Sequence, residues 1–258
     1  MTDPTQEFRQ TLQAAGLTPP DTLIPGKLHR CPSNDRHGDK AGWCKLFDDG
    51  MGGVYGDFRS STSETWQFRQ ADRMSDADRE SFRQQVEQAR RERDAEQTRT
   101  HREAARKAAD LWSKANPHPD PNHAYLARKG VPAVVIRQMD DALMVPLYGA
   151  DKALTGLQFI QPDGQKRFIT GTRKAGSWCV LKPEGIPPTD WSIILVAEGW
   201  ATAASLHTAT GHPVFIAFDC GNLSAVARYI RQQFPDADEN QIKGAVRAHI
   251  RSQYGMDI

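Results

Sequence analysis

The sequence lacks several features that would mark it as a secreted or membrane protein. Among its 258 residues, no apolar run approaches the roughly 20 residues that a membrane-spanning helix needs. The first four residues, Met-Thr-Asp-Pro, have neither the basic nor the apolar region of a signal peptide. The four cysteines form no Cys-x-x-Cys pair, which favours reduced thiols over a disulfide framework. We therefore expect a cytoplasmic protein with no membrane partner.

The motifs of several common enzyme classes are also absent. The chain has no Walker-type Gly-Lys-Ser/Thr loop and no Gly-x-Gly-x-x-Gly fingerprint, so the sequence contains no sign of an ATPase. It has no Gly-x-Ser-x-Gly turn, which argues against a serine hydrolase. The formal net charge is only +1, so any affinity for nucleic acid must come from local basic patches.

The most informative stretch that is present is residues 193–202, where an unbroken apolar run leads directly to Glu198 and Gly199. Such a run is typical of a strand buried on both faces, and residues 201–210 then predict a helix. Glu198 would lie at the carboxyl end of a strand, which is where ligands bind in open α/β folds. Gly199 would leave space for a phosphate or a metal-bound phosphate. The alternative is a polar strand end without chemistry.

A second segment repeats this pattern. Residues 213–219 form another apolar run that ends in a carboxylate, Asp219, and residues 221–223 then open a helix that extends to about Phe234. Strand, helix, strand and helix in this order are typical of parallel βα units. We therefore expect Glu198 and Asp219 at neighbouring strand ends.

These two segments resemble a known family. The letters Val-Ala-Glu-Gly at 196–199, Ala-Thr-Ala-Ala-Ser at 201–205 and Ala-Phe-Asp-Cys-Gly-Asn-Leu at 217–223 are similar to the Toprim domain of plasmid- and phage-encoded primases and primase-helicases. Residues 143–168 resemble the region that precedes Toprim in the same proteins. The resemblance implies an α/β fold: a Toprim-like parallel βα sheet, complete or not, with an adjoining antiparallel β meander, a long helical linker and a small β-rich N-terminal module.

The resemblance also implies an activity, metal-dependent phosphoryl or nucleotidyl transfer on single-stranded DNA or a primed template during replication. Glu198 would be the general acid/base or magnesium-associated group, and Asp219 would assist as a second catalytic and metal-binding carboxylate. Nucleotides would be the substrates of an active enzyme. The helicase half found in many members is missing from this chain, so a separate helicase is a candidate partner.

One part of the family pattern does not match. Toprim domains hold Mg²⁺ with an Asp-x-Asp pair after a later strand, and Asp236 and Asp238 have this spacing but no apolar strand before them. They are more typical of a loop and a helix cap, and the chain resembles a family member shortened at its C-terminus. We therefore expect weak or no primer synthesis from this chain alone. The alternative function is a catalytically impaired relative that serves as a nucleic-acid-binding or accessory replication module.

Residues 1–70 predict a small β-rich module, with a helix over residues 8–15 and strands near residues 27–31, 43–47 and 53–58. Cations and aromatic rings at exposed positions would pair with phosphates and stack on bases of single-stranded nucleic acid. The expected contacts are Lys27, His29, Arg30, Arg36, Lys40, Trp43, Lys45, Tyr55, Phe58 and Trp66. The alternative is that the aromatic side chains form the core of the module.

A zinc site in this module is a further hypothesis. His29, Cys31, His37 and Cys44 are the residue types that bind structural zinc. Their spacing forms no pair of short knuckles, so ordinary buried thiols and polar histidines are the better interpretation.

Residues 75–115 predict a long, mostly solvated helix that links the module to residues 116–258. Ser75 and Asp78 have the spacing of a capping box, and prolines after residue 116 end the helix. Residues 143–181 then alternate apolar and polar letters across two turns, as in an antiparallel meander. Basic residues of this meander would contact a nucleotide or strand entering the Glu198 site, or form a scattered rim without a ligand. They are Lys166, Arg167, Arg173 and Lys174.

Overall fold

The computed structural model describes residues 3–33, 40–60, 62–68, 75–235 and 237. The chain folds as two compact units, Met1–Thr98 and Arg99–Ile258, and the boundary between them falls inside a long helix. We call them the N-terminal unit and the C-terminal unit and describe each by itself. Within the parts of the chain that the structure describes, no helix is both long and apolar enough to cross a membrane.

In the part of the N-terminal unit that the structure describes, a four-stranded antiparallel sheet has one helix before it and part of another after it. Its elements are α1 (Pro4–Ala14), β1 (His29–Cys31), β2 (Gly42–Leu46), β3 (Gly52–Asp57), β4 (Thr62–Gln67) and the first part of α2 (Asp76–Lys114). The strands pair in chain order, β1-β2-β3-β4. The predicted helix and three strands are therefore present, and β4 is a strand that the sequence patterns did not predict.

Both faces of this sheet are covered, which explains why all five residues of β2 are buried. On one face Phe8 and Leu12 of α1 pack against Tyr55 and Trp66, and the Phe8 ring lies 5.0 Å from the Trp66 ring between centroids. The other face packs against α2. Its buried side chains are Trp43, Phe47, Val54 and Ala89.

This packing corrects the expectation of an exposed aromatic surface. Trp43, Tyr55 and Trp66 are buried and belong to the cores of the unit, because α1 covers Tyr55 and Trp66 on one face of the sheet and α2 covers Trp43 on the other. Lys45 was also expected to be exposed, and it is buried on the same face as Trp43. Phe58 remains half-buried. The alternative interpretation, aromatic residues as core, is the one that the structure supports.

Lys45 has an ion-pair partner inside the unit. Its ammonium group forms an ion pair with the carboxylate of Glu92 on α2, and the side chains of Lys45 and Glu92 are 7% and 39% exposed. A buried charge is tolerated only when it is paired, so this contact links β2 to α2.

We expect Lys45→Ala to lower the free energy of unfolding by about 2 kcal/mol, because it removes the ion pair and the packed aliphatic stem. The measurement is urea denaturation of the full chain followed by circular dichroism. Lys45→Met combined with Glu92→Gln keeps both shapes without charge and should cost much less. A Lys45→Ala variant that is fully stable but binds single-stranded DNA more weakly would show that the side chain faces solvent.

The described residues of the C-terminal unit form two sheets and three further helices. An antiparallel sheet consists of β5 (Arg137–Met139), β6 (Ala142–Tyr148), β7 (Leu154–Ile160) and β8 (Lys166–Phe168), paired in that order. A second sheet has the order β10-β11-β9, from β9 (Cys179–Leu181), β10 (Leu195–Ala197) and β11 (Val214–Ile216). The helices are α3 (Ala124–Lys129), α4 (Trp200–Thr210) and α5 (Leu223–Gln233), with short 3₁₀ turns at Pro188–Asp190 and Cys220–Asn222. The expected antiparallel meander over residues 143–181 is confirmed in part: β6, β7 and β8 belong to the first sheet, whereas β9 pairs with β11 in the second.

The expected parallel pairing is confirmed for β10 and β11. Leu195, Val196 and Ala197 pair in parallel with Val214, Phe215 and Ile216, and α4 connects the two strands. The third strand of this sheet, β9, is antiparallel to β11. The described residues thus form a mixed α/β structure with one parallel strand pair.

Alternating residues of β10 and β11 face two different helices. Leu195, Val214 and Ile216 lie in one core with Trp200 of α4. Phe215 lies in another core with α5 residues Val226 and Ile230. Because both faces are buried, the strands read as continuous apolar runs rather than alternating ones.

Helix α2 spans nearly the predicted residues. At its start the Ser75 hydroxyl accepts a hydrogen bond from the Asp78 amide at 3.2 Å and the Asp78 carboxylate accepts one from the Ser75 amide at 3.1 Å, which confirms the capping box. The helix is not solvated throughout. Phe82 and Ala89 pack within the N-terminal unit, and Ala104 packs within the C-terminal unit. The division into residues 1–70, 75–115 and 116–258, with the middle part as a linker, stays a prediction.

Candidate functional site

The carboxyl ends of β10 and β11 form one edge of the second sheet, which we call the β10–β11 edge. The Ala217 amide donates to the Ala197 carbonyl at 2.9 Å, so the pairing continues one residue past β11. Glu198 leaves β10 at this edge, and Asp219 follows two residues after Ala217. Parallel strands place both carboxylate-bearing segments at the same end of the sheet, as in ligand-binding edges of open α/β folds.

Glu198 is the available carboxylate at this edge. Its side chain is exposed, and within the described part of the chain it has no hydrogen-bond partner. The next residue, Gly199, leaves space that a side chain would fill, because a Cβ atom there would lie 3.4 Å from the Lys166 ammonium nitrogen. Glu198 is therefore open to a ligand, with a cation beside it.

Lys166 lies in an unusual electrostatic setting for a surface lysine. Partial shielding of its ammonium group by the surrounding protein lowers the pKa of Lys166, and the nearby charge of Lys129 lowers it further. The carboxylate of Glu198 acts in the opposite direction. Two neighbouring cations with one adjacent carboxylate leave an excess of positive charge, which suits a phosphate group.

Asp219 is engaged on both of its carboxylate oxygens. Oδ1 accepts a hydrogen bond from the Asn222 amide at 3.0 Å and caps the 3₁₀ turn, while Oδ2 lies 3.2 Å from the ammonium nitrogen of Lys174. The side chains of Lys174 and Asp219 are 44% and 38% exposed. Asp219 therefore differs from Glu198, although the sequence pattern treats them alike.

The backbone just before Asp219 is strained. Phe218 has a φ of +70°, a left-handed conformation that is uncommon for a bulky residue and costs of order 1–3 kcal/mol. Its ring packs edge-on against Phe168 of β8 at 6.1 Å between centroids, and the Lys174 ammonium lies 5.3 Å from the Phe168 ring. This turn places Asp219 next to the cation-bearing strand and loop.

The four basic residues predicted around the site have different partners in the structure. Lys166 and Lys174 lie beside Glu198 and Asp219, respectively. Arg167 alternates with Lys166 on β8 and therefore points to the other side of the strand, where it contacts Gln165. Arg173 lies close to His101, whose pKa is lowered by burial first and by the Arg173 charge second. Of these four basic residues, Lys166 and Lys174 are the two whose described contacts place them beside a carboxylate of the site.

Two contributors to this edge escaped the sequence interpretation. Asn222 is buried behind the Asp219 turn, although in the sequence it is simply a residue that opens a helix. The indole nitrogen of Trp200 donates to the Val134 carbonyl at 2.9 Å and holds the start of α4. The local sequence feature that could have indicated a role for Asn222 is its position, an amide side chain between an apolar strand and an amphipathic helix.

Some of the candidate metal ligands lie within the described residues and others lie outside them. No three His, Cys, Asp or Glu side chains of the described residues lie close enough together to hold a metal ion. Asp236 and Asp238, the alternative metal pair, lie outside the described residues, as does His37 of the zinc hypothesis.

The remaining zinc candidates have other contacts. Cys31 and Cys44 are buried in the core of the N-terminal unit, and a thiol hydrogen bond between them, followed by burial, raises the pKa of Cys44. The His29 Nε2 atom lies 3.1 Å from the Ile24 amide nitrogen.

A smaller basic surface persists on the N-terminal unit. Lys27 and Lys40 are exposed, and the Arg30 guanidinium donates to the Lys40 carbonyl at 2.8 Å. The same guanidinium lies 4.2 Å from the centroid of the half-buried Phe58 ring. We call these four residues, Lys27, Arg30, Lys40 and Phe58, the basic strip. Arg36, the other predicted contact, lies outside the described residues.

Comparisons with known proteins support a relationship to primases. No family model matches the chain. Two Escherichia coli proteins named DNA primase TraC are each 30% identical to it, over 242 and 254 residues, in both cases 90% of this chain. The chain spans only 22% and 17% of the lengths of these two relatives. The similarity thus supports a primase-like relationship for this chain and covers a minor part of each relative.

Proposed function

We propose that this chain is a Toprim-type, primase-like module that acts on single-stranded nucleic acid in plasmid or phage replication. The observation that carries the proposal is Glu198, an exposed carboxylate without a hydrogen-bond partner in the described chain, at the end of a strand and beside Lys166. The similarity to two DNA primases over 90% of the chain supports it.

The proposed chemistry assigns separate tasks to the residues of the β10–β11 edge. Lys166 and Lys174 would bind phosphate oxygens of a nucleotide, because ammonium groups form charge-assisted hydrogen bonds to phosphate. Gly199 leaves room for that phosphate beside Glu198. Glu198 would accept the proton of the attacking hydroxyl or associate with the metal. The basic strip of the N-terminal unit would bind the template through phosphate contacts and stacking on Phe58.

Magnesium fits this edge only in part. Mg²⁺ is usually held by one or two carboxylates together with substrate phosphates and water, and Glu198 can supply one such carboxylate. Asp219 does not fit in its observed contacts, since Lys174 and the Asn222 amide occupy its two oxygens. When bound, the ion would neutralise charge on the phosphates. We propose Glu198 as its main protein ligand, with Asp219 available only after Lys174 moves.

A second candidate function follows from the same observation about Asp219. A site with one free carboxylate suits a catalytically impaired relative that binds nucleic acid as an accessory replication module. In that case a separate helicase or a larger replication protein is the natural partner, and the basic strip and the two lysines would retain their binding roles.

Ribonucleotide incorporation on a single-stranded DNA template with Mg²⁺ decides between these functions. Template-dependent incorporation, however slow, supports the primase-like enzyme. Binding of the template without incorporation supports the accessory module. A chain that neither binds single-stranded DNA nor incorporates nucleotides would overturn both.

We expect the affinity for single-stranded DNA to fall about twentyfold between 50 and 200 mM salt, since contacts from about three cations release counterions with a slope near −0.7 per contact. Fluorescence anisotropy of a labelled oligonucleotide measures this. The double variant Lys27→Ala, Lys40→Ala should bind more weakly and with a shallower salt slope. The exposed Lys182→Ala is the matched control. An unchanged slope in the double variant would place the binding surface elsewhere.

A further inference from the structure

Asn222 makes an unusually complete set of contacts for a buried amide. Its side chain is 4% exposed. Oδ1 accepts a hydrogen bond from the Gly176 amide at 2.7 Å, and Nδ2 donates to the carbonyls of Ser177 and Ala217 at 2.8 Å each. These partners belong to two segments, the turn at residues 176–177 and the end of β11. The side chain therefore joins the turn to the β10–β11 edge.

Residues 173–177, which we call the Lys174 loop, are held together by hydrogen bonds within the loop. The Ser177 hydroxyl donates to the Arg173 carbonyl at 2.7 Å, and the Ser177 amide donates to the Lys174 carbonyl at 2.9 Å. Ser177 is fully buried, and its hydroxyl also lies 3.0 Å from that of Thr155 on β7. Because the loop holds its own shape, the contacts of Asn222 at its end fix the position of the whole loop.

Asn222 contacts one member of the ion pair, Asp219, and the loop that carries the other, Lys174. Its backbone amide donates to Asp219, and its side chain binds the loop that carries Lys174. The Lys174–Asp219 pair is half exposed, and exposed pairs contribute little by themselves because solvent screens them and a lysine side chain loses rotamer freedom. The pairing is therefore held in place by the backbone segments that Asn222 joins.

We propose that Asn222 is a positioning residue that fixes the Lys174 loop, and so delivers the Lys174 ammonium group to a phosphate bound at the β10–β11 edge. The ligand class is a polyphosphate, such as the triphosphate of a nucleotide. The part that concerns the ligand rests on the proposed function. The part that concerns the position of Lys174 does not, and the two are tested by different measurements.

The first test is a double-mutant cycle read by calorimetric binding of inorganic tripolyphosphate. Asn222→Asp keeps the acceptor for Gly176 but places an oxygen, in place of the donor, against two carbonyls. We expect Lys174→Ala and Asn222→Asp each to weaken binding about tenfold, the effect of losing one charge-assisted contact. The double variant should bind no more weakly than Lys174→Ala, since Asn222 acts through Lys174. The exposed Asn122→Asp should bind like the unaltered chain.

Additive losses in the double variant, or unchanged binding by Asn222→Asp, would overturn the proposal. If the unaltered chain does not bind tripolyphosphate, the ligand assignment and the phosphate role in the proposed function fail together. The position of Lys174 is then decided by a measurement without a ligand.

That second measurement is the rate at which an amine-reactive ester labels Lys174, read by mass spectrometry relative to Lys182. Release of the loop should raise the relative rate severalfold in Asn222→Asp, because Lys174 leaves its carboxylate partner. An unchanged rate would show that Asn222 has only a structural role. If Asn222→Asp does not fold, Ser177→Ala removes the hydroxyl contacts with Arg173 and Thr155 that hold the same loop. This variant should raise the labelling rate in the same direction, and no rise in it would equally contradict the proposal.

Discussion

Replacing Trp43 with alanine is expected to lower the free energy of unfolding of the N-terminal unit by about 3–5 kcal/mol, the usual cost of removing a fully buried tryptophan. Trp43 is 1% exposed and lies on the face of the sheet that packs against α2. Its ring sits over Gly56 of the neighbouring strand and close to Phe58 and the Arg93 guanidinium. The alanine variant would leave a cavity that none of these groups can fill without moving the sheet.

The measurement is urea denaturation of the full chain, with hydrogen exchange of the β2 and β3 amides to locate the loss in the N-terminal unit. Trp43→Phe keeps an aromatic ring at the site and should cost clearly less. If the Trp43 ring instead stacked on bases, Trp43→Ala would have the opposite effects on stability and binding. Full stability of Trp43→Ala together with weakened binding of single-stranded DNA would restore the expectation that this ring faces nucleic acid.

The difference between Trp43 and the strand-end residues shows which features the sequence can predict. The runs before Glu198 and Asp219 are apolar at every position because helices α4 and α5 cover the two faces of β10 and β11. A pattern of that kind is visible within ten residues, so the parallel strands, their helices and the two carboxylates at one edge were all predictable.

The interior position of Trp43 and Lys45 depends on partners that are far away in the chain. Glu92, which neutralises Lys45, lies 47 residues later on α2. Aromatic and basic letters in short strands are equally consistent with a nucleic-acid surface and with a core, and only the packing of α2 against β2 decides between them. No pattern of neighbouring residues in the sequence indicates the contact between α2 and β2.

The unequal contacts of Glu198 and Asp219 have the same origin. Lys174 reaches Asp219 across 45 residues, and Asn222 binds the loop of Lys174 across a similar separation. Phe218, whose backbone sets the direction of the Asp219 turn, has a left-handed conformation. Phenylalanine rarely adopts this conformation, so the sequence gives no sign of it. Two carboxylates with the same sequence context therefore acquire different roles through tertiary contacts.

We expect Glu198→Gln to reduce whatever Mg²⁺-dependent nucleotide incorporation the chain supports by about a hundredfold or more, the usual loss when one electrostatic contact to a reacting phosphoryl group is removed. The side chain is exposed and has no hydrogen-bond partner within the described chain, so glutamine should leave the folded state intact. The assay is ribonucleotide incorporation on a single-stranded template at high enzyme concentration, because one free carboxylate predicts slow turnover. Glu184→Gln, another exposed glutamate, is the matched control.

Comparison with Asp219→Asn separates the two carboxylates further. If Asp219 serves mainly to pair with Lys174, its amide variant should lose much less activity than Glu198→Gln, and the loss should appear chiefly as weaker nucleotide binding. Equal hundredfold losses in both variants would mean that Lys174 leaves Asp219 during the reaction and that both carboxylates then act on the reacting groups. Undiminished incorporation by Glu198→Gln would remove Glu198 from the chemistry and leave the β10–β11 edge as a binding surface alone.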